Sequence, residues 1–147
     1  ISWFGTPSMA TVTIIVVSIW QNIGFLMIIY TAGLQTIPKD VMESAELDGC
    51  SGLKKVLKIE LPLLMPTVTI NLFVSISGAF KSFDIPNAMT GGGPYGSTMP
   101  VAMNIYQEAF TKYNLGYGSA KSVILFLTVA AVTLIQLYCT RKKEVEY

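Results

Sequence analysis

Three long stretches of this 147-residue chain contain no charged side chain, and they constrain its fold more than any other feature. They run from Ile1 to Pro38, from Leu61 to Phe80 and from Ser122 to Thr140. An α-helix needs roughly 20 predominantly apolar residues to cross about 30 Å of hydrocarbon, and each stretch is close to that length or longer. A soluble domain could bury one such helix, but a chain this short cannot cover three with protein. The sequence therefore predicts an all-α, polytopic membrane helical bundle with three transmembrane helices.

Composition excludes several functional classes. Charged residues make up only 13% of the chain, about half of the roughly 25% that is usual in soluble domains. There is no His, and the two cysteines, Cys50 and Cys139, have neither metal-site spacing nor a disulfide pattern. The spans lack the carboxylate that an ion-coupled transporter needs and the converging titratable groups of a membrane enzyme. We therefore expect no enzymatic activity, no cofactor, no metal and no nucleic-acid partner.

The three spans are predicted at about residues 9–34, 61–83 and 120–140. Gly24 and Gly78 lie inside the first two, where glycine would let a neighbouring helix approach closely. The chain begins with Ile, and no charged region precedes its first apolar run, so the pattern does not indicate a signal peptide. We expect the chain to be the C-terminal part of a longer protein.

The distribution of basic residues predicts the orientation of these spans. Seven of the ten basic residues lie in the first connection and in the C-terminal tail: Lys39, Lys54, Lys55, Lys58, Arg141, Lys142 and Lys143. The positive-inside rule places both regions in the cytoplasm. The first connection, residues 36–60, is called the charged segment below. The second connection, residues 84–119, is then expected to face outward.

The charged segment has the pattern of two short amphipathic helices. In the first, Pro38 is a suitable first helical residue, and Val41, Met42, Ala45 and Leu47 supply apolar groups. Gly49 is placed to end this helix in a left-handed conformation.

A second helix is predicted directly after Gly49. Ser51 is positioned to cap its N-terminus, and its apolar residues are Leu53, Val56, Leu57 and Leu61. On periodicity alone, the pair could equally be an interfacial structure that lies on the membrane.

A motif distinguishes between these interpretations. The chain reads Glu43-Ser44-Ala45, three residues, Gly49, nine residues, then Ile59-Glu60-Leu61-Pro62. This spacing resembles the EAA motif of binding-protein-dependent ABC importer permeases, with Ser44 in place of the usual Ala. Flanking sequences "AGLQTIP", "TGGGP" and "GYGSAKS" resemble the carbohydrate branch of that family, the maltose and glycerol-3-phosphate type.

The resemblance implies a sugar-importing permease subunit of the cell membrane that is not itself an enzyme. It implies that the charged segment docks onto a cytoplasmic ABC ATPase subunit, and that a second permease subunit and an extracellular solute-binding protein complete the assembly. The implied docking residues are Glu43, Ser44, Ala45, Glu46, Leu47, Asp48 and Gly49. A non-ABC membrane transporter, or a structural membrane subunit with an interfacial helix, is the alternative.

Polar residues at membrane depth are candidates for the substrate pathway, because an unpaired polar group is costly there. Alignment through "TGGGP" and "IP" matches five residues to sugar-contacting positions of maltose-type permeases: Asn22, Phe25, Ser75, Ala79 and Ser82. Hydrogen bonding between helices is the alternative role for each polar residue. Lys81, near the expected outer end, would favour an anionic substrate such as a sugar phosphate.

The second connection contains the glycine-rich stretch Thr90–Thr98, which lacks the Gly-Lys-Ser/Thr of a phosphate loop. We expect a flexible outward turn at the mouth of the pathway. Met103, Tyr106 and Phe110 share one helical face and are expected to anchor the chain at the headgroup level.

Overall fold

The computed structural model describes residues 3–142, which form helices and turns without any β-strand. The helices are α1 (Pro7–Gln35), α2 (Lys39–Leu47), α3 (Leu53–Leu63), α4 (Met65–Phe80), α5 (Asp84–Thr90), α6 (Val101–Tyr106) and α7 (Leu115–Arg141). Two π-helical turns interrupt the α-helical pattern, Val56–Glu60 within α3 and Gln107–Thr111 directly after α6. The predicted all-α class is confirmed.

Two of these helices are long and apolar enough to cross a membrane, namely α1 with 29 residues and α7 with 27. A third crossing exists if α3 and α4, which are bent by 69° at Leu64, together make one span. The bend lies between Pro62 and Pro66, and neither proline has the amide hydrogen needed to bond the carbonyl four residues earlier. These two or three helices agree with a membrane helical bundle.

The chain divides into two compact units. The first contains the described residues up to Ile23 together with Ile76–Thr133, and the second contains Gly24–Ser75 together with the described residues from Leu134 onward. The charged segment lies wholly within the second unit.

In the second unit, α1 and α4 are in close contact at Gly33. A β-carbon built there would lie 2.2 Å from the Thr67 hydroxyl oxygen and 2.9 Å from its β-carbon, so only glycine fits. One helical turn or two away, the buried Asn71 amide donates to the Leu26 carbonyl at 3.4 Å. Close approach was expected at Gly24 and Gly78 instead, but none of the described residues comes within 4 Å of a β-carbon at either.

In the first unit, the π-helical turn after α6 packs against the start of α7. A β-carbon at Gly118 would lie 2.8 Å from that of Ala109. Glu108 is buried beside this contact, with Lys112 at 2.8 Å and Lys121 at 3.5 Å from its carboxylate. Lys121 also donates to the Asn104 side-chain oxygen at 2.7 Å. These contacts explain why α7 begins at Leu115, five residues before the predicted start at residue 120.

Apolar side chains are largely exposed along the two long helices. Trp20, Met27 and Phe126 are 78%, 66% and 70% exposed, and no large side chain among residues 3–142 is fully buried. Apolar surface of this extent must be covered by lipid or by other protein. The long helices therefore have the surface expected of membrane-embedded elements.

Replacing Gly33 with Ala tests the contact between α1 and α4. Because the added β-carbon meets the branched Thr67 side chain at three atoms, we expect a loss of about 1–3 kcal/mol in the free energy of unfolding, as for other overpacked sites. The measurement is thermal unfolding of the full-length protein in detergent. Gly24→Ala is the matched control, since its β-carbon enters open space on the same helix. Equal melting temperatures for the two variants would contradict the contact.

Candidate functional site

Helix α2 carries most of the predicted docking residues, and it begins at Lys39 rather than at Pro38. Pro38 is the preceding cap residue, with φ −60° and ψ 135°. The proline ring sets φ but not ψ, and here ψ is extended, so the prediction that Pro38 is the first helical residue is wrong. Asp40 lies in the first turn, where the helix dipole favours an acidic side chain.

The C-terminus of α2 is closed by a Schellman motif around Gly49. The Gly49 amide donates to the Glu46 carbonyl at 3.0 Å, and the Cys50 amide donates to the Ala45 carbonyl at 2.9 Å. Gly49 has φ +73°, which confirms the predicted left-handed conformation. Ala45 and Cys50, which are joined by the second of these hydrogen bonds, are both buried.

A second glycine with positive φ, Gly52, starts the next helix. It has φ +57° and ψ −137°, and its carbonyl accepts the amides of Lys55 and Val56 at 3.1 and 3.2 Å. A residue with a β-carbon is strained at these angles. The cap residue of α3 is therefore Gly52, with no side-chain cap, and the prediction that Ser51 caps this helix is wrong.

An ion pair joins the two helices across this turn. The Lys55 ammonium lies 2.7 Å from a carboxylate oxygen of Glu46, and the side chains are 16% and 63% exposed, respectively. The hydrogen bond from Lys55, together with its positive charge, lowers the pKa of Glu46 below the ordinary value of 4.5. Lys54 and Lys58 are exposed, and no ion pair among the described residues involves them.

The surface that this segment presents differs in part from the predicted one. Of the seven candidate docking residues, Ala45 is buried and the other six, Glu43, Ser44, Glu46, Leu47, Asp48 and Gly49, are exposed. Leu47 and Leu53, on the two sides of the turn, are 89% and 80% exposed. Ala45 thus supports the turn from inside, and the large apolar side chains exposed along the segment are Val41, Leu47, Leu53, Val56 and Leu57.

The five candidate pathway residues are divided between the two units. Asn22, Ala79 and Ser82 belong to the first unit, and Phe25 and Ser75 belong to the second. Ser82 is half-buried and the other four are exposed. The Asn22 amide donates to the Ser18 carbonyl of its own helix at 2.8 Å.

The aromatic and glycine-rich parts of the second connection are more closely packed than expected. Met103 is only 2% exposed, so it is a core residue rather than a headgroup anchor. Tyr106 contacts the rings of Phe83 and Phe110, both at centroid distances of 5.2 Å. The turn of residues 90–98 is closed by a hydroxyl–hydroxyl hydrogen bond of 2.7 Å between Thr90 and Thr98.

Sequence reasoning did not identify the polar cluster of Glu108, Lys112, Lys121 and Asn104. The spacing of Glu108 and Lys112, four residues apart, is a helical ion-pair signal that was available. The contacts of Lys121 were not accessible in this way, because they join parts of the chain that are 13 and 17 residues apart. No group of three or more Cys, Asp or Glu side chains within residues 3–142 is arranged to hold a metal ion.

Comparison with known proteins extends the resemblance to almost the whole chain. Residues 1–145 match the family described as the binding-protein-dependent transport system inner membrane component. A sulfoquinovosyl glycerol transport system permease protein, SmoG of Agrobacterium fabrum, is 40% identical over 98% of this chain and 47% of its own length. The trehalose/maltose transport system permease protein MalF of Thermococcus litoralis is 37% identical, over 93% and 46%.

A third relative is the sn-glycerol-3-phosphate transport system permease protein UgpA of Brucella abortus. It is 37% identical over 88% of this chain and 45% of its own length. The chain thus spans about half the length of these curated relatives.

Gly49→Ala tests the left-handed helix end. The added β-carbon meets open space, so the expected destabilisation of about 1–2 kcal/mol comes from backbone conformation alone. We expect the turn to loosen and the buried Cys50 thiol to react faster with N-ethylmaleimide in a Cys139→Ser background. Gly49→Asn should have a smaller effect, since Asn tolerates the left-handed region. An unchanged Cys50 labelling rate in Gly49→Ala would contradict this account.

The pH dependence of the Glu46 ion pair follows from its lowered pKa. A carboxyl group whose pKa is depressed by folding contributes stability fully above 4.5 and loses that contribution as the pH falls through its folded-state value. We expect the Glu46 carboxyl carbon to titrate with a midpoint below 4.5 in ¹³C NMR, and Lys55→Gln to raise that midpoint. An identical midpoint in both proteins would show that Lys55 does not act on Glu46.

Proposed function

The chain belongs to the family of binding-protein-dependent transport system inner membrane components, and from this premise we propose that it is part of a permease subunit of an ABC importer. The importer moves a sugar or sugar derivative across the cytoplasmic membrane. The subunit forms a portion of the translocation path and is not itself the ATPase.

The charged segment is the single observation that carries the coupling role. Its first helix ends in a Schellman turn, Leu47 and Leu53 before and after that turn are exposed, and Glu43 and Asp48 add exposed acidic groups close by in the sequence. A short helix with exposed apolar groups and an acidic rim suits a hydrophobic groove on a partner protein. We assign this partner as the cytoplasmic ABC ATPase, with Glu43 through Gly49 as the docking region.

The other partners follow from the class of transporter. A binding-protein-dependent system requires a solute-binding protein outside the membrane, and two transmembrane subunits enclose the path between them. We therefore propose a second permease subunit and an extracellular binding protein as partners. In this arrangement the charged segment, residues 36–60, is cytoplasmic, the second connection, residues 84–119, is external, and the spans are α1, the bent pair α3–α4, and α7.

The proposed substrate class rests on the relatives and on the chemistry of the path. The names of the relatives specify sulfoquinovosyl glycerol, trehalose or maltose, and sn-glycerol-3-phosphate, all of them rich in hydroxyl groups. The candidate path residues Asn22, Phe25, Ser75, Ala79 and Ser82 offer an amide, an aromatic face and hydroxyls to such a solute. Ala79 has no hydrogen-bonding group, so the pattern of contacts differs from a maltose-like one. Exposed Lys81 is available for a substrate that carries a phosphate.

A pair of single-cysteine variants tests both docking and orientation. In a full-length permease with Cys50 and Cys139 replaced by Ala, we expect Leu47→Cys to cross-link to the ATPase. It should resist a membrane-impermeant maleimide applied to intact cells. Tyr95→Cys is the matched control, because position 95 is 98% exposed and lies in the second connection. It should show the opposite behaviour.

The two readouts test separate parts of the proposal. Labelling of Leu47→Cys from outside intact cells would invert the topology. Failure of Leu47→Cys to cross-link to a co-purifying ATPase would remove the docking assignment while leaving the transport class in place.

A further inference from the structure

The connection between α2 and α3 lacks side-chain packing at two of its residues. It contains two glycines with positive φ, Gly49 and Gly52, only three residues apart. A β-carbon at either position would have none of the described residues within 4 Å, so no side-chain packing restrains the backbone there. Glycine has wider conformational freedom than any other residue. A force applied to α2 could therefore be absorbed by rotation within this turn.

An ion pair bridges the turn. The ion pair between Glu46 and Lys55 joins residues nine positions apart, one in the last turn of α2 and one in the first turn of α3. Lys55 is the least exposed of the three lysines in α3: its side chain is 16% exposed, whereas Lys54 and Lys58 lie on the surface. The Glu46–Lys55 pair is called the brace below.

The brace is placed where it can pass a displacement of α2 into the start of α3. Lys55 is the residue immediately before the π-helical turn Val56–Glu60. From Lys55 the helix continues to the 69° bend at Leu64 that leads into α4, a distance of about 13 Å at 1.5 Å per residue. A displacement that enters α3 at Lys55 is therefore carried to the bend and into α4.

We propose that Glu46 and Lys55 are positioning residues for energy coupling, which make the first helix of the charged segment and α3 move as one body when the ATPase changes state. This inference rests on the proposed function. With the brace intact, a shift of the docked α2 reaches α4 before the glycine turn can absorb it. Without the brace, the ATPase still binds the exposed docking surface, but its conformational change reaches α4 only weakly.

This role differs from a direct contact of Glu46 with the ATPase. Exchanging the charges at positions 46 and 55 distinguishes the two roles. The reversed pair Glu46→Lys/Lys55→Glu keeps an ion pair across the turn but presents the opposite charge at position 46. A brace is restored by the exchange, whereas a docking contact made by the Glu46 carboxylate is not.

The experiment uses the full-length permease assembled with its ATPase in nanodiscs, with Cys50 and Cys139 replaced by Ala. A reporter, Ser75→Cys in α4, is labelled with N-ethylmaleimide with and without ATP and vanadate, so no transported solute is required. We expect the nucleotide-dependent change in labelling rate to fall by about fivefold or more in Glu46→Gln and in Lys55→Gln, the lower end of typical coupling factors. ATPase co-purification and basal ATP hydrolysis should stay unchanged in Lys55→Gln, because Lys55 lies outside the docking region Glu43–Gly49. The double reversal should restore the response.

Lys54→Gln is the matched control, because it removes an adjacent, exposed lysine that forms no ion pair in the described part of the chain. A full labelling response in Glu46→Gln or Lys55→Gln would overturn the brace, as would failure of the double reversal to restore it. An equal loss in Lys54→Gln would also overturn it, since local charge rather than the pair would then be responsible. If no ATPase co-purifies with the unmodified permease, the proposed function itself fails, and the brace fails with it.

Discussion

Hydrocarbon solvates neither charged side chains nor unpaired backbone groups, and this constraint organises the whole chain. The backbone of the long apolar stretches is paired within α1, α4 and α7, and the charged side chains are concentrated in the connections between them and after the last one. Partners that work in water can reach only those connections. The charged segment is one of these connections, and it lies within the second unit.

Within that segment, two glycines set the path of the backbone, and an ion pair connects the two helices. Gly49 ends α2 and returns the chain through two hydrogen bonds to Ala45 and Glu46, while Gly52 redirects it into α3. Neither glycine has a side chain that could pack against a neighbouring helix. The angle between the helices therefore depends on contacts made elsewhere. The ion pair of Glu46 with Lys55 supplies one such contact at 2.7 Å. A turn built in this way is not held rigid by packing at its two glycines.

The parts of this structure that sequence predicted are those that local rules determine. The apolar stretches specified the helical class, and the spacing around Gly49 specified its left-handed conformation, because helix ends of this kind require glycine. Ser51 was misjudged as a cap because Gly52 competes for the same role one residue later. The choice of Lys55 over Lys54 and Lys58 as partner of Glu46 depends on the turn geometry. Spacing alone could not reveal it.

Polar residues in the membrane-spanning helices also differ in their roles, and these roles depend on tertiary contacts that sequence alone does not show. Asn71 is buried and donates to the Leu26 carbonyl, and Gln136 donates to the Thr69 carbonyl, both at 3.4 Å, so these two amides connect neighbouring helices. Each leaves its side-chain oxygen buried without a hydrogen-bond partner among the described residues. Such amides stabilise helix packing and are not available to a solute. Asn22 and Ser75 are exposed instead, so exposure, rather than polarity alone, distinguishes them from the two amides that hold the helices together.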